Sequence, residues 1–196
     1  MAAAMIAMAT LASPTLAKVD LVTLPSRDET ELTIYKAEDL TLVRETRELT
    51  FSEGKNEIQF SWAGTLIDPT SLQIRILENP GNFRLLDATY PANTQNTIVW
   101  NIEADEAGKT NAEITYFASG VTWKADYSAV ANDDETMLRL EPNFTINNNS
   151  GEDFENAKTR LVVGEINLVE AIAELARRGI IRSQDMDRLR RDVARS

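Results

Sequence analysis

From Gly120 to Ala131 the chain reads GVTWKADYSAVA, and every odd position after the glycine is apolar or aromatic: Val121, Trp123, Ala125, Tyr127, Ala129 and Ala131. Thr122, Lys124, Asp126 and Ser128 fill even positions between them. A period of two puts one face of a strand into a core and leaves the other wet, which no helix can do with the same residues. The pattern returns at Ile58, Phe60 and Trp62, at Leu72, Ile74 and Ile76, at Ile98, Trp100 and Ile102, and at Ile114 and Tyr116. Polar turn signals separate most of these runs, at SEGK (52–55), DEAGK, NDDE and NNNSGEDFEN. Short strands at such spacing predict a mainly β protein, an antiparallel β-sandwich.

The strands are predicted near 31–36, 40–51, 58–62, 72–76, 83–89, 97–104, 111–118, 120–131, 136–147 and 158–164. Leu40 and Leu42 set one register of the second strand and Leu49 and Phe51 the other, which predicts a bulge or a charged edge strand. ENPGN at 78–82 is the strongest chain breaker. It divides the reading into a small N-terminal β module, 18–80, and a β-sandwich domain, 81–165.

Both ends differ from this middle. Residues Ala2–Ala12 are an apolar run followed by Pro14 and by small residues at Thr15 and Ala17, the outline of a secretory signal peptide over 1–17 with cleavage after Ala17. No Lys or Arg precedes the run, so the reading includes a start upstream of Met1. The run falls well short of the roughly 20 apolar residues that a membrane-spanning helix needs. The expected location is therefore periplasmic or secreted, with no transmembrane span. Residues 166–196 read as an amphipathic helical tail. Asn167 is an N-cap, Leu168, Ile172 and Leu175 form a stripe, Gly179 is a C-cap, and Met186, Leu189 and Val193 repeat the spacing. That tail is read as packing on the sandwich or on another copy of the chain, and the second, a homo-oligomer contact, is the preferred reading.

Cysteine and histidine are absent, which removes disulfides, thiolate nucleophiles, Cys/His zinc sites and triads built on an imidazole. A lipid anchor on a cysteine is removed with them. The net charge of −11 argues against nucleic acid as a partner. Residues 177–196 are an exception. They hold seven Arg against three Asp, which leaves −15 on everything before them. No phosphate-binding glycine loop or dinucleotide fingerprint is present, so no cofactor is expected.

The run from Ile114 to Gly164 resembles the domain of unknown function 4139, a family of exported bacterial proteins that includes mucoidy-inhibitor-like members. The resemblance rests on an aromatic strand, Trp123 with Tyr127 four residues later, then Asn149, Ser150, Gly151, Glu152, Asp153 and Phe154. Residues 32–74 are similar to the β module that precedes this domain, including Gly54 and the run Asp68-Pro69-Thr70-Ser71-Leu72. Such members continue as β strands where this chain turns to helix, so the resemblance implies a truncated or shortened member. It brings no agreed activity. The motif positions Trp123, Tyr127, Asn149, Gly151, Glu152 and Asp153 are strand and turn signals, read as structural.

Three groups of residues invite a functional reading. Trp62, Trp100 and Trp123 suit a sugar- or peptide-binding face, but each is in phase with aliphatic neighbours and is read as core. Asp133-Asp134-Glu135 and Glu152-Asp153-Glu155 suit calcium or a glycosidase, yet they lack EF-hand spacing and are read as turns. Lys124 is read as solvated. No catalytic residue and no metal ligand is assigned. The expected function is an exported, non-catalytic binding or envelope-associated structural protein with a protein or glycan partner; the alternative is a carboxylate-dependent hydrolase such as a glycosidase.

Overall fold

In the computed structural model the described residues run from Asp20 to Gly164. The proposed signal peptide and helical tail lie outside them. The described chain is mainly β, with eleven strands: β1 (Asp20–Thr23), β2 (Glu29–Tyr35), β3 (Leu40–Phe51), β4 (Gly54–Ser61), β5 (Gln73–Ile76), β6 (Phe83–Thr89), β7 (Thr97–Ala104), β8 (Gly108–Ala118), β9 (Val121–Ala131), β10 (Leu138–Asn148) and β11 (Lys158–Val162). Apart from 3-10 turns at Pro69–Ser71 and Pro80–Asn82, no helix occurs among the described residues. None there is long and apolar enough to cross a membrane.

The strands form a four-stranded sheet in the order β1-β4-β7-β6, a five-stranded sheet in the order β11-β2-β3-β8-β5, and the two-stranded β9–β10 ribbon. Pairing is antiparallel except at two edges, where β1 joins β4 and β11 joins β2 in parallel. Only a long connection can bring a strand back in parallel, and β11 returns to β2 after more than a hundred residues.

The two larger sheets share one core. Ile58, Phe60, Trp62, Ile98, Trp100 and Ile102 from one meet Leu32, Ile34, Val43, Leu49, Ile114 and Tyr116 from the other. Phe60 and Tyr116 pack across the gap with ring centroids 5.7 Å apart. Strands on either side of residue 80 pair directly, β3 with β8 and β4 with β7. The breaker ENPGN, with Asn79 at φ 47°, carries the chain from β5 in one sheet to β6 in the other.

The second predicted strand needs a correction. β3 is central, neither bulged nor at an edge, and pairs with β8 without interruption from Thr41 to Phe51. Its buried face is Thr41, Val43, Glu45, Leu49 and Phe51, all odd positions, while Leu40 and Leu42 are only half-buried on the other face. Leu40 and Leu42 belong to the outer face throughout, so the buried face does not change along the strand. The inward residue in mid-strand is in fact a carboxylate.

Candidate functional site

Glu45 has a fully buried side chain at the centre of β3, and burial of a carboxylate demands partners. Two guanidinium groups supply them. Arg27 Nε donates to Glu45 Oε2 at 2.5 Å, and Arg47 Nε donates to Oε1 at 3.0 Å with a second Arg47 nitrogen at 2.9 Å. Arg47 comes from the same strand two residues on. Arg27 comes from the loop after β1, which is fastened to β3 by the Asp28 amide on the Thr46 carbonyl at 2.9 Å and by the Glu48 amide on Asp28 Oδ2 at 2.8 Å. Arg47 also donates to the Pro25 carbonyl of that loop.

The far side of Arg27 meets the turn between β10 and β11. It donates to Glu152 and, at 3.0 Å, to the Asp153 carbonyl, and its guanidinium carbon sits 5.6 Å from the Phe154 ring centre. The turn is built for that approach. Asn148 Oδ1 accepts from the Ser150 amide at 3.1 Å and from its hydroxyl at 2.7 Å, while Asn148 Nδ2 donates to the Glu152 carbonyl at 2.8 Å. Gly151 takes φ 83°, and a Cβ there would stand 2.1 Å from the Gly64 carbonyl oxygen, so two independent constraints require glycine. Asn149 donates its amide to Gly120 at 2.7 Å, which ties the turn to the root of β9.

Beside this ion-pair chain lies a cavity of about 370 Å³ lined by Leu24, Arg27, Arg47, Gln59, Phe60, Ser61, Trp62, Ile67, Tyr116 and Glu152. Among the described residues the Tyr116 hydroxyl is buried without a hydrogen-bond partner. Burial, followed by the negative charge of Glu45, pushes the pKa of this phenol above its ordinary value, so it stays a neutral donor and acceptor. Burial also works against the charge of Arg27, but Glu45 and Glu152 outweigh it and leave that pKa raised.

The motif residues divide between these roles. Trp123 is buried and donates Nε1–H to the Ile34 carbonyl at 3.2 Å. Trp62 and Trp100 are buried too, and only Trp62 lines the cavity. Tyr127 is exposed on the β9–β10 ribbon. Asn149 and Gly151 shape the turn, Glu152 reaches the cavity, and Asp153 contributes its carbonyl. Asp133, Asp134 and Glu135 form the exposed tip between β9 and β10, with Glu135 at φ 56°. No group of three acidic residues able to hold a metal ion occurs among the described residues. Lys124 is exposed and lies 3.4 Å from Asp126.

Sequence reasoning singled out Glu152 but not Arg27, Glu45, Arg47 or Tyr116. The signal for Glu45 was available: Thr41, Val43, Glu45, Leu49 and Phe51 share one parity, and a carboxylate in that series demands a cation. No family model matches the chain, and no curated protein matches it.

Proposed function

We propose that the chain is an exported, non-catalytic binding module of the domain-of-unknown-function 4139 type, a β-sandwich associated with the cell envelope, and that its cavity takes an uncharged, hydroxyl-rich group such as one sugar unit of an envelope glycan. The observation that carries this reading is a cavity whose charged groups are already paired and whose wall includes Tyr116, its hydroxyl buried and, among the described residues, without a hydrogen-bond partner. A buried polar atom without a partner is costly, and a ligand oxygen that shifts the cavity wall enough to reach the hydroxyl would relieve it. Glu45 and Glu152 are matched by Arg27 and Arg47, so a strongly charged ligand would have to break partly buried pairs. Gln59 and Ser61 add hydrogen-bonding groups, and Phe60, Trp62 and Ile67 add the apolar wall that sugar faces favour.

A hydrolase needs one carboxyl group free to give up a proton and a second free to act on the substrate. Both oxygens of Glu45 are instead occupied by guanidinium N–H groups, which supports binding over hydrolysis. The test is a titration of the full chain with neutral mono- and oligosaccharides, followed by amide NMR shifts or calorimetry. A neutral sugar is expected to perturb the cavity residues, and Tyr116→Phe to weaken it about tenfold, the equivalent of about 1.4 kcal/mol. Saccharides that leave the cavity unperturbed, or sugar acids that bind better than neutral sugars, would remove the proposal.

A further inference from the structure

The β9–β10 ribbon pairs Ala131 with Leu138, Ala129 with Leu140, Tyr127 with Pro142, Ala125 with Phe144 and Trp123 with Ile146. Residues directly opposite in an antiparallel pair share a face, so these ten side chains form one uninterrupted apolar surface. Thr122, Lys124, Asp126 and Ser128 lie on the other face with Arg139, Glu141, Asn143 and Thr145. At the root, Val121 and Trp123 belong to the core. Beyond it the same face runs on uncovered, and Tyr127, Leu138, Leu140, Phe144 and Ile146 are between 44% and 67% exposed. A contiguous apolar surface of this kind marks a docking site.

We propose that the occupant is the segment 165–196 of this same chain, its Leu168, Ile172 and Leu175 stripe lying along the apolar face of the arm. Three observations point to it, the first two of them against a second copy. The chain leaves the described region beside the root of the face: Lys36 donates its amide to the Val162 carbonyl at 3.0 Å, and its ammonium lies 5.2 Å from the centre of the Trp123 ring. The face is also small. From Trp123 to Ala131, two strands rising about 3.4 Å per residue give roughly 27 by 10 Å, whereas a stable interface needs about 800 Å² from each partner. A tethered segment escapes that requirement because its effective concentration is millimolar in order. Finally, the charges match. The sequence reads 167–178 as a helix, a length of about 18 Å, and a course along the arm from its root would bring Arg177 and Arg178 toward the end where Asp133, Asp134 and Glu135 sit.

The absence of native cysteine makes the test direct. Leu140→Cys places a thiol on the apolar face of the full chain, and Ser128→Cys places one on the polar face of the same arm as an internal control. Each variant is first checked for an unchanged thermal melt, with Ala129→Cys replacing Leu140→Cys if that one fails. The face thiol is expected to react with a maleimide about tenfold more slowly than the control, because labelling waits for the segment to lift off. Adding Leu168→Asp and Ile172→Asp should abolish the difference, and light scattering should report a monomer throughout. Equal labelling of both thiols overturns the proposal and leaves the face open to another protein. Protection that appears only in a dimer, or that survives the two aspartates, assigns the face to a second copy and overturns it equally.

Discussion

Trp123 shows how far a single residue can be read from its neighbours. Its place in an eleven-residue alternation predicts burial, and the structure buries it with its indole N–H on the Ile34 carbonyl. Trp123→Ala should therefore cost about 3–5 kcal/mol in a denaturant melt, the range for large core truncations. A loss below about 1 kcal/mol, typical of surface changes, would contradict that placement. Tyr116 is a different case, since alternation places its ring but not the chemistry around its hydroxyl. Its folded pKa is raised by burial and by Glu45. The contribution of the neutral phenol is then fully present below the unfolded value, about pH 10, and is lost as pH climbs toward the folded one. Thermal melts between pH 9 and 11 should show the parent losing up to about 1.4 kcal/mol per pH unit more than Tyr116→Phe. Parallel slopes would mean that the phenol is not buried as described.

Most strands were legible because a strand facing one core declares itself every second residue. β6, β7 and β9 fall within a residue of where alternation puts them, and the hairpin at Gly54, with φ 89°, follows from its turn residues. The cavity was not legible, because its parts meet across the chain: Arg27 and Glu152 stand 125 residues apart, and no local pattern connects them. What connects them is the β10–β11 turn, so that turn can be tested as a unit. Gly151→Ala would set a methyl group against the Gly64 carbonyl at a backbone angle alanine resists. It should cost about 2–3 kcal/mol. Because the same turn positions Glu152, the variant should also lower affinity in the sugar titration by more than Tyr116→Phe does. Unchanged stability would show that the turn relaxes freely and is not what holds Glu152 in place.

On the scale of the molecule, the sheet order was beyond sequence reasoning for the reason that hid the cavity: which strand lies beside which is decided by a shared core. The parallel union of β11 with β2, Lys158 opposite Glu31, then has a kinetic meaning. Loops of this size must close before their contacts return any energy, so topology of this kind places folding in the millisecond-to-second range. Stopped-flow refolding followed by tryptophan fluorescence should fall there, and a microsecond phase carrying the whole amplitude would contradict the assembled order. During synthesis the outer edge of β2 must wait for nearly all of the described chain to emerge. A ribosome-bound fragment ending before residue 158 therefore presents a bare strand edge and an incomplete core, and the polypeptide stays open to unfolded-chain handling until its last strand arrives.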